Sequence, residues 1–322
     1  MSETQPSNVR PSQATLMAFA AVVLLGGANA VAVKLTVDEL APFWGAALRF
    51  VAAGVLMLLV VAATRRPLPR GRSLAGAALY GAVGFSASYG LAYTGLRDVP
   101  AGTAMVLIAL TPLFTFGLAI AHRQERFRIQ GLLGALIAVV GIGLVFVDQL
   151  SAKVPLAPLL LVLVAAVAIA ESAVIVKAIP RSDPLGTNAV AMLTGGGLLL
   201  AISLLTAETI GLPRQAETWA AVGYLVVFGS VVMFALFLFA LQRWTASAVS
   251  YVTLLMPLVT VALAAVLTDE RITPSFVIGG AVILGGVYVG AFMKGRPARS
   301  SASSLPECLP VDACAEAEPA RA

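Results

Sequence analysis

One carboxylate in this chain lies where carboxylates are expensive. Of 16 acidic residues, fifteen fall in loops, tails or helix ends, and Glu171 alone lies well inside a long apolar run. A charged acid in mid-membrane costs about 2.5–3.5 kcal/mol on insertion scales, so it is protonated, paired or in a wet cavity. Each of those states suits proton exchange or cation binding; the alternative is a protonated acid that only ties helices together. At 1.5 Å per residue Glu171 sits about 22 Å below the outer start of its helix, in the cytoplasmic half. Ser250 and Tyr251 lie at a comparable depth on a helix entering from the inside, and their hydroxyls can donate to a carboxylate. They are its expected neighbours. Lys177, six residues on and about 240° around the helix, does not share its face.

A second polar group is expected in the outer half. Arg49 lies about 10 Å below the outer surface, and Asn29 reaches a similar depth from the other direction. Together they form a layer able to recognise a carboxylate or phosphate, because guanidinium is a planar two-pronged donor. Alternatively Arg49 snorkels outward or ties helices through backbone carbonyls. Phe85, Tyr89 and Tyr93 recur every four residues and share one face, either as a cavity wall with Tyr89 exposed to it or as packing.

These residues need positioning elements, and composition says which kind. The chain is 59% hydrophobic and 11% charged, with a mean hydropathy of +0.95. It is an integral membrane protein. Ten stretches reach the roughly 20 apolar residues a spanning helix needs, over 15–34, 42–63, 74–96, 100–121, 129–147, 156–178, 186–206, 217–241, 246–267 and 274–293. Barrel strands would alternate apolar and polar residues, whereas runs such as Leu159 to Ala170 are apolar throughout. The fold class is all-α, with the first stretch a retained helix and not a signal peptide.

The ten helices divide in two. Pro112 precedes Glu125-Arg126 as Pro257 precedes Glu270-Arg271, 145 positions on. Gly134 and Gly141 then match Gly279 and Gly286. Asn29 to Lys34 matches Ser172 to Lys177, which puts Lys34 near the outer interface and Lys177 near the inner one. Five helices per half make the second half inverted, the usual construction of a secondary transporter. The expected organisation is a cytoplasmic tail over 1–14, a first repeat over 15–147, a linker over 148–155, a second repeat over 156–293 and a disordered cytoplasmic tail over 294–322. Pro112 and Pro257 fall near mid-membrane and are expected to bend their helices, as a gate or as a static kink. The Glu-Arg pairs read as caps with topological charge, and Gly195-Gly196-Gly197 as a packing face that also eases bending.

With the N-terminus inside, thirteen basic residues fall on cytoplasmic segments and four on the opposite loops. Both termini are therefore expected in the cytoplasm. The net charge of +5 is a topology signal and implies no nucleic acid. Cys308 and Cys314 match neither a redox pair nor a complete metal site. No metal-spacing cluster, cofactor motif, phosphate-cradling loop or convergent nucleophile and base is present in the sequence, so neither an enzyme nor an ATP-driven pump is expected.

Leu24 to Lys34, then Pro42 with Arg49-Phe50, then Pro112 with Glu125-Arg126 and the Gly134/Gly141 helix resembles the ten-helix EamA branch of the drug/metabolite transporter superfamily. The resemblance covers about residues 15 to 293. It implies a secondary-active exporter of small metabolites such as amino acids, coupled to protons, in the inner (plasma) membrane. A channel or a non-transporting receptor or scaffold are the alternatives. The resemblance also tilts Arg49-Phe50 toward a structural role. Gly26 stands where the family often carries tryptophan, which implies a larger pocket beside Asn29. The expected site set is Glu171, Asn29, Ser172, Tyr89, Ser250, Tyr251, Arg49 and Gly26, with Pro112 and Pro257 as kinks or gates.

Overall fold

Apolar runs of this length leave the backbone one way to satisfy itself in lipid, by bonding within helices. The computed structural model describes residues 11–37, 39–96, 98–99, 101–147, 155–268 and 274–293. The chain there forms α1 (Gln13–Val37), α2 (Pro42–Ala63), α3 (Arg72–Gly81, continued by Ser88–Leu96), α4 (Ala101–Ile108 and Thr111–Ala121) and α5 (Ile129–Val145). The second half forms α6 (Leu156–Ala178), α7 (Pro184–Leu205), α8 (Ala216–Val226, continued by Met233–Arg243), α9 (Ala246–Ser250 and Val252–Thr268) and α10 (Pro274–Val287, extended over Tyr288–Phe292). Nine are long and apolar enough to span, and α5, with 17 residues, is a shorter apolar helix. The tail cysteines, Glu270-Arg271 and most of the linker lie outside the described residues.

Packing follows the duplication. The first helix lies against α8 and α9, and its counterpart α6 against α3 and α4; α2 pairs with α7, and α5 with α10. The last pair meets through the glycines that mark the repeat. A Cβ on Gly141 would come 2.8 Å from the Gly279 carbonyl oxygen, and one on Gly286 would come 2.6 Å from the Ala138 amide and 2.7 Å from the Gly134 carbonyl. Only glycine permits that backbone approach. On unbroken α7, Gly195 meets Phe85 and Gly196 meets Val51, so these two glycines form a packing face, whereas a Cβ on Gly197 would meet nothing within 4 Å.

Two expected spans are each broken. Pro112 has no N–H for the Ile108 carbonyl one turn back; the helix interrupts at Ala109-Leu110, and the Thr111 hydroxyl donates to that carbonyl at 2.6 Å. In α9 the interruption is at Tyr251, while Pro257 itself sits inside the following segment. There the hydroxyls of Ser250 and Thr253 donate at 2.8 Å to the carbonyls of Ser247 and Ser250.

Loop carboxylates serve helix starts, several of them far away in sequence. Glu208 accepts from the amides of Phe43 (3.2 Å) and Trp44 (2.9 Å) at the start of α2. Asp183 caps α7 and pairs with Arg66 at 2.8 Å. Glu39 accepts from the amides of Arg214 and Gln215 ahead of α8, and its carboxyl is held below the usual range by the Thr218 hydroxyl first and then the Arg214 amide. Glu125 does not cap the helix that follows it: it accepts from the Ser247 hydroxyl and, at 3.0 Å, the Ser247 amide at the start of α9.

Candidate functional site

Helices α3 and α8 each contain one π turn, Ala82–Ala87 and Val227–Val232, with matching starts 145 residues apart. A π turn widens the hydrogen-bond step, bulges the backbone and is common at functional sites. Gly84 and Gly229 hold equivalent places in the two turns. Asn29 of α1 lies against Gly229, and Ser172 of α6 lies against Gly84. The sequence match between Asn29 and Ser172 is thus a match of environment. Nothing in an apolar run announces a π turn, although the two glycines at the repeat spacing were a usable signal.

The two copies differ in their polar chemistry. The Gly229 carbonyl accepts from Arg49 Nη2 at 2.8 Å and from Asn29 Nδ2 at 3.2 Å, while Arg49 Nε donates to Ser230 Oγ at 2.8 Å. Arg49 is buried, with its guanidinium 4.9 Å from the Phe50 ring centre and 5.8 Å from that of Tyr89. The outer polar layer expected from depth is therefore present, and Arg49 uses it to tie α2 to α8. Asn29 Oδ1 is buried without a hydrogen-bond partner. On the other side Ser88 Oγ donates to the Gly84 carbonyl, and Ser172 Oγ to Ile169 O at 2.7 Å. Ala191, at the place equivalent to Arg49, packs its backbone on Gly81.

Glu171 Oε1 lies 3.5 Å from His122 Nε2, and Glu171 Oε2 is buried without a hydrogen-bond partner. His122 caps the C-terminus of α4, with Nδ1 3.0 Å from the Leu118 carbonyl. That carbonyl can only accept, so Nδ1 is the donor and Nε2 is the nitrogen that faces Glu171. The expected neighbours do not serve: Ser250 Oγ donates to Ser247 O, and Tyr251 OH donates to Gly131 O of α5 at 3.2 Å. The interruption at Tyr251 turns its ring toward Gly290 of α10 instead. His122, the only histidine in the chain, could not be linked to Glu171 from sequence, because depth along one helix says nothing of which neighbour leans toward it.

The remaining candidates are placed as follows. Tyr89 is half-buried between Phe50 (4.8 Å) and Tyr93 (6.0 Å). Gly26 is buried against Met256, whose sulfur would lie 2.6 Å from a Cβ there, so α9 fills the space left by the absent aromatic. Sequence reasoning overlooked Asn188, fully buried on α7, which donates to the Phe234 carbonyl just past the α8 π turn at 2.9 Å. No cluster of three or more His, Cys, Asp or Glu side chains able to hold a metal ion occurs among the described residues.

Ten apolar helices among the described residues, duplicated and enclosing polar groups, define a multi-pass membrane transporter. The chain belongs to the EamA-like transporter family, whose model matches residues 13–147 and again 156–291. It is 26% identical over 263 residues to the inner membrane transporter YedA of Escherichia coli K12, covering 80% of this chain and 83% of that protein. It is 25% identical to a "probable amino-acid metabolite efflux pump" of the same strain, over 84% and 92% of the two chains. A "probable terminal-alkyne amino-acid exporter" of Streptantibioticus cattleyicolor is 28% identical over 69% and 74%. A solved crystal structure superposes with a TM-score of 0.73 at 21% identity, covering 87% of this chain and 96% of that one, and shares the fold.

Proposed function

We propose that the protein exports small amphipathic metabolites, amino acids or related compounds, across the plasma membrane in exchange for protons, with both termini in the cytoplasm. The observation that carries this reading is Glu171, the acid inside a span, beside His122 with one carboxylate oxygen still unpartnered. A proton shared between such groups changes the charge of the site without moving the backbone. Gln124, two residues beyond His122, donates at 2.9 Å to the Val174 carbonyl on the helix that carries Glu171. Inverted halves supply alternating access by rocking against each other. The names of the two amino-acid exporting relatives support the substrate class and the direction.

The test is transport of a labelled amino-acid panel in proteoliposomes under an imposed pH gradient. Glu171→Gln keeps size and hydrogen bonding but cannot titrate. It should abolish uphill accumulation while leaving downhill exchange and protein abundance in place. Accumulation equal to wild type would remove Glu171 from coupling.

A further inference from the structure

A cavity of about 100 Å³ opens where α6 ends, between the start of α7 and the last turns of α8. Drug-sized ligands occupy some 300–1,000 Å³, so this space suits a single polar group. Its polar wall is Lys177, Arg181, Ser182, Thr187 and Gln242, set against the apolar side chains of Val176, Leu238 and Leu241. The hydroxyls are already arranged: Ser182 Oγ and Thr187 Oγ1 lie 2.7 Å apart, and Gln242 Nε2 donates to the Ser182 carbonyl at 3.0 Å.

The two cations are not arranged in that way. Neither Lys177 nor Arg181 has a hydrogen bond or ion pair to any described residue, although Lys177 is only partly exposed. The carboxylates nearby are committed elsewhere. Glu125, whose field reaches Lys177, is bound to Ser247. Asp183 is bound to Arg66 and to the first amides of α7, which also removes those amides as donors to the cavity. Two positive side chains therefore line a small, partly enclosed space, and neither is in ion-pair contact with a carboxylate among the described residues. An ammonium in that setting gains most from an oxyanion, through charge-assisted hydrogen bonds.

We propose that this cavity is an oxyanion site, in which Lys177 and Arg181 hold the carboxylate or phosphate group of a solute or a lipid headgroup. The site concerns binding alone and stands whether or not the proton coupling proposed above holds.

The experiment uses the full chain, purified in neutral detergent, and follows its thermal midpoint against inorganic phosphate, with chloride at equal ionic strength as the control. A second arm compares nanodiscs of phosphatidylglycerol with nanodiscs of phosphatidylcholine. Phosphate, phosphatidylglycerol or both should stabilise the wild type beyond the control. Lys177→Gln should weaken the free-phosphate response about tenfold, or abolish the phosphatidylglycerol effect, whereas Lys177→Arg keeps it. A Lys177 dependence with free phosphate identifies a solute anion, and one seen only in nanodiscs identifies a lipid. If Lys177→Gln does not fold, Arg181→Gln at its exposed position should still lower the response. Equal responses from wild type and the variants that fold, in both arms, would overturn the proposal.

Discussion

Arg49 is a buried cation bonded to a carbonyl and a hydroxyl, and among the described residues it has no carboxylate in ion-pair contact. The charge is tolerated because its donors have fixed acceptors and two aromatic faces flank it. Lysine would keep the charge but lose the fork that reaches Gly229 and Ser230 together. Arg49→Lys should therefore cost about 1.5–3 kcal/mol of stability, read as a lower unfolding midpoint in detergent; an unchanged midpoint would mean the link between α2 and α8 is dispensable. Glu171 and Arg49 were legible in the sequence because a charge in an apolar run stands out against composition alone. The partner of Glu171 was not. Depth from the interface ranked Ser250 and Tyr251 beside Glu171, but depth carries no information on rotation about the helix, and His122 depends on how α4 meets α6.

At the scale of elements, the boundaries of the spans were readable because hydrophobic length sets them, and α2 and α6 have the expected limits of 42–63 and 156–178. Interruptions were less readable. Pro112 announced a break, yet the interruption in α9 sits six residues before Pro257, where Ser and Thr hydroxyls can replace lost backbone donors. The capping carboxylates bind halves of the chain together: Glu208 follows α7 but serves α2, as Arg66 follows α2 and reaches the cap of α7. Glu208→Gln removes the charge facing the α2 amides and should destabilise by about 0.5–2 kcal/mol, with Glu208→Ala at the upper end. Thermal unfolding of the two variants checks this; identical midpoints to wild type would assign the α2 start to Trp44, whose ring nitrogen donates to Gly211 O at 2.7 Å.

For the whole molecule, the inverted duplication organises packing more strictly than it organises chemistry. The contacts of α1 with α8 and α9 are repeated by those of α6 with α3 and α4, and α2 with α7 and α5 with α10 pair directly, while Arg49, Glu171 and His122 each belong to one half only. The excess of basic residues on one side predicts that a reporter fused after Ala322 is active in the cytoplasm. Periplasmic activity of that fusion would reverse the orientation of the whole bundle.

The glycine seam between α5 and α10 has a consequence for how the protein is made. The fifth helix leaves the ribosome with Gly134 and Gly141 as bare backbone patches, and the chain that covers them, through Gly279 and Gly286 of α10, is synthesised only after four further helices. The first half can thus insert and thread correctly and still present an unfilled groove to lipid for the remainder of translation. Completion of its packing is deferred until α10 is made, so the timing of assembly is set by the length of chain between the two helices.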